Sequence, residues 1–478
     1  MNKDDGRPLA ELERALTLRD LVLFHLVTVI SITSLATGSR AGPVALTLWV
    51  LAALLFFVPQ GIAVVELSSS YPEEGGIYSW TKREFGEGHG FLCGWCYWIN
   101  NVLFFPSLLL SAATIATYAV GRGESGLGGD WAYVLPFTLG ALCLAAALNV
   151  VGAGTGKWLQ NAGGVCIYLT LLMLIAVGLY GMWTRPAANP LGEGWWRPSF
   201  ADLSTLNLWA TIPFAYAGLE LSATMGSEIQ NPRRNLPRSI YVAAPLIALV
   251  YLLGSGSLVW LVPAGEMSVV AGPFQAIAAG AAGFGASLWW AAPLAAALAV
   301  VGRLGALGAW LTGSARVAFV VGLDRYFPAA FGRVHPRWRT PYVAILAQAA
   351  LATLFLLLGV LGKGTTVETA FLILLDMSLL LYFIPYVYLF ACHLKHRRRA
   401  GPAGAVVPVG RGVATLVGLS GMLVTVCAMT VSTIPPPDTA EPRLFVTKVV
   451  GGTLLLVAVG GAIYWRAKAG RKKRTPDA

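Results

Sequence analysis

Apolar positions run along this chain in long blocks, and the block length carries the first inference. A helix needs about 20 mostly apolar residues to cross a bilayer, and by that measure the chain offers about twelve spans. They centre on residues 18–38, 43–69, 91–120, 131–150, 158–183, 205–227, 240–262, 287–314, 341–361, 367–393, 412–433 and 445–465. The pattern predicts an all-α polytopic membrane protein. The stretch GPFQAIAAGAAGFGAS, ahead of the eighth run, is rich in Gly and Ala and reads as a re-entrant or extracellular helix. An even number of spans places both termini on one side.

Composition sharpens the class. Of 478 residues, 56% are hydrophobic and 12% charged, against roughly 25% charged in a soluble domain. Lys and Arg crowd the connections on the side of the termini: residues 1–20, 70–90, Lys157, 228–239, 315–340, 394–411 and 466–478. The alternate connections hold Arg40, Arg122, Arg185, Arg197, Lys363, Arg443 and Lys448. Positive residues stay on the cytoplasmic side, so both termini are expected there, in a cell (plasma or inner) membrane. The net charge of +11 is then an orientation signal, with membrane lipid as the neighbour and no nucleic-acid partner. The first 20 residues lack an apolar core, so no cleavable signal is expected and the first span serves for insertion. Cys93-x-x-Cys96 is half of a metal or redox pattern with nothing to complete it, so no metal or cofactor is expected.

Two of the runs look interrupted. The first, LVLFHLVTVISITSLATGSRAGP, carries Ser31, Thr33, Ser34 and Thr37 in its middle; such hydroxyls serve a broken helix or bond back to carbonyls in an intact one. The sixth, within FAYAGLELSATMGSEIQNPRRNLPRSI, carries Ala215, Ala217 and Gly218, then the carboxylate of Glu220. Small residues there read as a break or as close packing. Paired breaks in corresponding spans mark a midplane site in transporters built from inverted repeats. A half-helix amino end suits a carboxylate and freed carbonyls suit an ammonium, which together describe a zwitterionic amino acid.

Three stretches resemble a known family, the amino acid–polyamine–organocation transporters, most of all its glutamate/GABA antiporter branch. They are ALLFFVPQGIAVVELSSSYPEEGGIYSW, GLELSATMGSEIQNPRRNLPRSI, and the SAR-x₈-DRYFPAAFGRVHPRWRTPY region from Ser314 to Tyr342. The resemblance implies a LeuT-like fold: a 5+5 inverted repeat plus two helices. Its parts are a cytoplasmic tail (1–17), a first repeat (18–183), a second repeat (205–393), two further spans (412–465) and a basic tail (466–478). Carried over by position, the substrate would meet Ile30, Ser31, Ile32, Thr33, Ser34, Phe214, Ala215, Ala217 and Gly218. Residues Glu74–Gly76 and Asn231–Arg234 would serve the inner gate and its loop packing. The chain departs from the family in VISITSLATG, which replaces a glycine-rich signature, and in a fifth span with no lysine where sodium-independent members often carry one.

Ionisable groups inside spans are costly and invite a role. Arg303, in the eighth span, replaces a coupling sodium or meets an acidic substrate; its structural alternatives are snorkelling or a pair with Asp376. His25 is a proton-coupling candidate, Glu66 orders the inner gate, and Asp376 is the most isolated carboxylate. Glu220 holds the broken helix by accepting its free amides, or binds a substrate amine. Asn100 and Asn101 face the expected site, with Asn101 counted among the binding residues. The chain has no Walker motif, and its five histidines (His25, His89, His335, His393 and His396) form no acid/base or metal cluster. The reading is therefore a secondary amino-acid transporter and no enzyme, working by exchange, with proton-coupled amino acid or polyamine symport as the alternative. Its partner is a small amino-acid substrate; oligomeric state is left open.

Overall fold

The computed structural model describes residues 12, 14–123, 125–198, 210–361, 366–400, 407–408, 410–435 and 442–472. Ten helices among them are long and apolar enough to cross a membrane, and a bent pair, α1 (Leu18–Val29) and α2 (Ile32–Ser39), makes an eleventh span. The sixth predicted span falls partly outside the described residues; its remaining helical part, residues 210–215, is α8. The other elements that place the site are α3 (Val44–Ser70), α4 (Ile77–Phe85), α5 (Glu87–Ala119), α6 (Trp131–Val151) and α7 (Ala153–Thr184). They continue with α9 (Pro232–Leu261), α10 (Gly272–Ala281), α11 (Ala291–Leu323), α12 (Tyr342–Leu361), α13 (Val367–Ala400), α14 (Arg411–Val431) and α15 (Arg443–Gly470). No strand occurs among the described residues, only an isolated bridge between Leu16 and Ile229.

The Gly/Ala-rich segment forms the short α10 and a following 3₁₀ turn, Ala282–Leu288. The eighth span then runs from Ala291 to Leu323, past its predicted end at 314.

Helix α1 packs against α7, α9 and α11, while α5 packs against α11 and α13. Small residues permit the closest crossing: a methyl group built on Gly163 of α7 would lie 2.7 Å from Gly305 Cα of α11. Backbones that meet this way gain contact without a hydrophobic driving force, which lipid does not supply. The crossing also fixes Arg303, two residues before Gly305, facing α1 and α2.

Candidate functional site

The first break follows from the local sequence. Val29, Ile30, Ile32 and Thr33 are β-branched and lose side-chain freedom in a helix. Ile30 (φ −72, ψ 115) and Ser31 (φ −122, ψ 110) are extended, and the span bends by 43°. The Ser31 hydroxyl caps α2 by accepting from the Ser34 amide at 3.3 Å. Groups freed by the break find partners on neighbouring helices. The Ser31 amide donates to the Tyr251 hydroxyl of α9 (2.8 Å), and Trp310 of α11 donates its indole N–H to the Thr28 carbonyl (3.2 Å). The Tyr251 hydroxyl lies 2.7 Å from the Val29 carbonyl and 3.0 Å from that of Ala215, so its one proton serves either break.

Ala215 belongs to the second break. Helix α8 ends there, Tyr216 to Gly218 leave the helix, and the chain resumes as a 3₁₀ segment, Leu219–Glu228. Gly218 has φ 127, a conformation that only glycine adopts without strain. Its amide donates to the Tyr386 hydroxyl of α13 at 2.9 Å, and Tyr386 in turn donates to Glu220 Oε2 at 2.5 Å. Glu220 is fully buried and also accepts from Tyr97 (3.1 Å), from the Gln60 amide (3.1 Å) and from Tyr382. The sequence suggested that Glu220 accepts free helix amides or a substrate amine. Instead one glutamine and three tyrosines from α3, α5 and α13 surround it, and the freed Gly218 amide reaches it only through Tyr386.

Between the two breaks lies a cavity of about 40 Å³, room for a few waters at roughly 10–15 Å³ each. Ser31, Thr33 and Ser34 line it from the first break, and Phe214, Ala215 and Ala217 from the second. Arg303, Trp310, Asn100, Phe104 and Tyr382 complete the wall. Ser111 and Phe371 also line a second chamber of about 360 Å³, bounded by residues 128–129 and 268–270 at the end opposite the termini.

Several expected site residues do not reach the cavity wall. Ile30 and Ile32 are buried in the apolar core on either side of Ser31, because successive residues of an extended chain face opposite ways. Gly218 makes its contact through its backbone. Asn101 is turned about 100° from Asn100, is fully buried and donates to the Tyr97 carbonyl at 2.7 Å. Of the two asparagines expected to face the site, Asn100 lines it and Asn101 does not.

Of the ionisable candidates Arg303, Glu220, His25, Glu66 and Asp376, only Arg303 lines the cavity. It is 6% exposed, its Nη2 donates to Thr33 Oγ1 at 2.9 Å, and its Nε is enclosed without an acceptor. The alternative pair with Asp376 is not formed; Asp376 is half-buried on α13, off the cavity wall. His25 is fully buried against the hydroxyls of Ser239 (3.1 Å) and Ser222 (3.4 Å). Glu66 sits 3.3 Å from Arg397 near the termini.

The three stretches that carried the family resemblance converge at the end bearing the termini. The Gly75 amide donates to the Thr224 carbonyl (3.0 Å), and Gly76, at φ 43, brings its Cα against the Ala223–Thr224 peptide, where a methyl would lie 3.0 Å away. Glu74 accepts from both the amide and hydroxyl of Ser227, leaving its enclosed Oε1 unpartnered. Arg316 forks onto Glu228 at 2.7 and 3.1 Å, both side chains being buried. Lys82 and Tyr78 both donate to Asp324, the lysine at 2.6 Å. Burial, and then the Glu228 carboxylate, push the Glu74 carboxyl up to about 7, against the opposite pull of Ser227 and Arg316. Leu16 closes the face: its amide donates to Glu228 O (3.1 Å), and the Gln230 amide donates to Leu16 O (3.0 Å).

Sequence reasoning missed Tyr97, Tyr251, Tyr382, Tyr386, Trp310 and Gln60. The available signal was a phenol or indole in mid-span, which needs a polar partner once buried. A bundle of apolar helices that encloses a cavity between two interrupted spans is the architecture of a polytopic membrane permease. A family model described as amino acid permease matches residues 16–456, and the chain belongs to that family. It is 29% identical to an uncharacterized transporter of Legionella pneumophila over 94% of this chain and 96% of that one. It is 26% identical to a serine/threonine exchanger of Bacillus subtilis, covering 74% and 76% of the two chains. With a glutamate/gamma-aminobutyrate antiporter of Lactococcus lactis it shares 23% identity over 82% and 78%.

Proposed function

We propose that this permease is a secondary active transporter that exchanges amino acids by alternating access around the central cavity. The observation that carries the reading is Tyr251. Its single hydroxyl lies within hydrogen-bond reach of a carbonyl at each break, so the two half-helices can shift together around a ligand. The closed, ion-paired face at the termini and the 360 Å³ chamber at the other end suit a state open on one side only. With positive connections inside, the termini are cytoplasmic and the chamber is external. Under this reading residues 18–183 and 205–393 act as the two repeats, with 412–465 as flanking spans. Ser31, Thr33, Ser34, Phe214, Ala215, Ala217 and Asn100 contact the substrate; Glu220 and Glu66 belong to the inner gate. Exchange, rather than symport, is supported by relatives named as exchanger and antiporter.

The test reconstitutes the full chain in liposomes and follows labelled amino acids, with and without unlabelled amino acid inside, under zero and imposed pH gradients. Exchange requires uptake that depends on internal amino acid. Uptake into empty liposomes that tracks the pH gradient would replace exchange by proton symport and bring His25, Glu220 and Asp376 forward. No uptake of any amino acid would overturn the transport reading.

A further inference from the structure

We propose that Arg303 is the anion site of the cavity, which holds a carboxylate of the transported molecule and thereby selects carboxylate-bearing amines over polyamines. The proposal rests on the transport reading above and specifies its substrate class.

Four observations converge on it. The Arg303 guanidinium lies in mid-span on the cavity wall, 6% exposed. One of its amino groups is spent on the Thr33 hydroxyl, while the Nε–H is enclosed with no acceptor. Among the described residues no Asp or Glu lines either the cavity or the adjoining chamber, and Asp376, beside the lining Leu375, makes no ion pair with Arg303. Finally, Thr33 is the second residue of α2, so the positive end of that helix lies beside the guanidinium.

An uncompensated cation within a membrane span costs at least about 2.5 kcal/mol, and removal of a partner from a buried charge pair costs more. A substrate carboxylate supplies the missing charge and accepts from the free Nε–H, in the geometry that arginine offers to carboxylates. A polyamine would bring only positive charge to a wall that has no carboxylate to receive it.

Two carboxylates qualify, the α-carboxylate common to amino acids and a side-chain carboxylate. The test separates them. Proteoliposomes of the full chain take up labelled L-glutamine or L-glutamate, with the same acid inside and, in parallel, under a pH gradient. Competitors are unlabelled glutamine, glutamate, glutamine α-methyl ester and putrescine.

A charge-assisted hydrogen bond implies a gap of about 10- to 100-fold between a ligand and its uncharged counterpart. We expect that gap between glutamine and its ester if the α-carboxylate is held, or between glutamate and glutamine if the side chain is held. Putrescine competes at least about tenfold more weakly than the acids on the same arithmetic. Arg303→Gln closes whichever gap is present, and Arg303→Lys restores part of it. A merely structural arginine would lower both members of the pair by one factor.

Absence of both gaps in the native chain overturns the proposal, as does a gap that persists in Arg303→Gln, or putrescine that competes like the acids. Those native-chain comparisons decide it even if the variant fails to fold. A native chain that moves no amino acid at all fails the transport reading itself, whereas one that moves amino acids without these gaps fails this proposal alone.

Discussion

The end of the bundle near Leu16 and the end near Ser268 are held together by different chemistry. At the first, charged groups from distant parts of the chain meet in pairs: Arg316 with Glu228, Lys82 with Asp324, and Arg399 with Glu84. At the second, the bonds run to backbone groups: Arg185 donates to the Ala279 carbonyl at 2.6 Å, and the Asn189 amide to the Val259 and Val262 carbonyls at 2.6 and 2.8 Å. The Ser268 hydroxyl accepts from the Ala271 amide at 3.1 Å, and the Thr114 hydroxyl lies 3.3 Å from the Gly128 carbonyl. A buried ion pair is strongly destabilised by loss of one partner, while a hydroxyl–backbone bond is worth about 0.5–1.5 kcal/mol. On the transport reading proposed above, the contrast makes the termini end a latch that is costlier to break than the other end.

Predictions test that contrast in descending order. Arg316→Ala strands the buried Glu228 carboxylate and should lower stability by about 3–5 kcal/mol, read by thermal unfolding in detergent. A loss under 1 kcal/mol would mean the pair is not part of the latch. Tyr251→Phe leaves the Ser31 amide without its acceptor and should cost about 1–3 kcal/mol, with a parallel fall in uptake. Unchanged uptake would show that the two breaks do not act through this hydroxyl.

Glu74 gives the pH arm. Its carboxyl binds a proton more tightly in the closed arrangement, at about 7, than at its ordinary 4.5. The closed state thus keeps this contribution in full below about 4.5 and loses it as pH rises through 7. Glu228 and Arg316 face it from the 3₁₀ segment and α11, and Ser227 bonds it. Glu74→Gln should flatten the fall in melting temperature between these pH values; an unaltered profile would assign the dependence elsewhere. Smallest, Ser268→Ala at the open end should cost no more than about 1 kcal/mol. A cost equal to that of Arg316→Ala would erase the distinction between the ends.

How much of this was legible in the sequence follows from what each signal depends on. Span number and both breaks depend on composition along the chain, so the hydroxyls around Ser31 and the small residues before Gly218 located them. The motifs YPEEGG and TMGSE were visible as motifs, but that they pack on each other was not, since this needs the backbone approach at Gly76. The cavity wall depends on helix rotation, which an apolar helix in lipid does not encode by alternating polarity. Hence both Asn100 and Asn101 were expected at the site although only Asn100 lines it, and Tyr382 and Trp310 went unnoticed. Arg303 was legible because a charge in a span stands out anywhere; its lack of a carboxylate partner required the fold.

The pairing of Leu16 with Ile229 has a practical side for anyone handling this protein. It splices the leading segment onto the chain just beyond the second break, so a force on one is transmitted to the other. A bulky fluorescent tag fused tightly before Leu16 would load this pairing and should slow uptake relative to the untagged chain. The same tag on a long flexible leader would leave turnover alone.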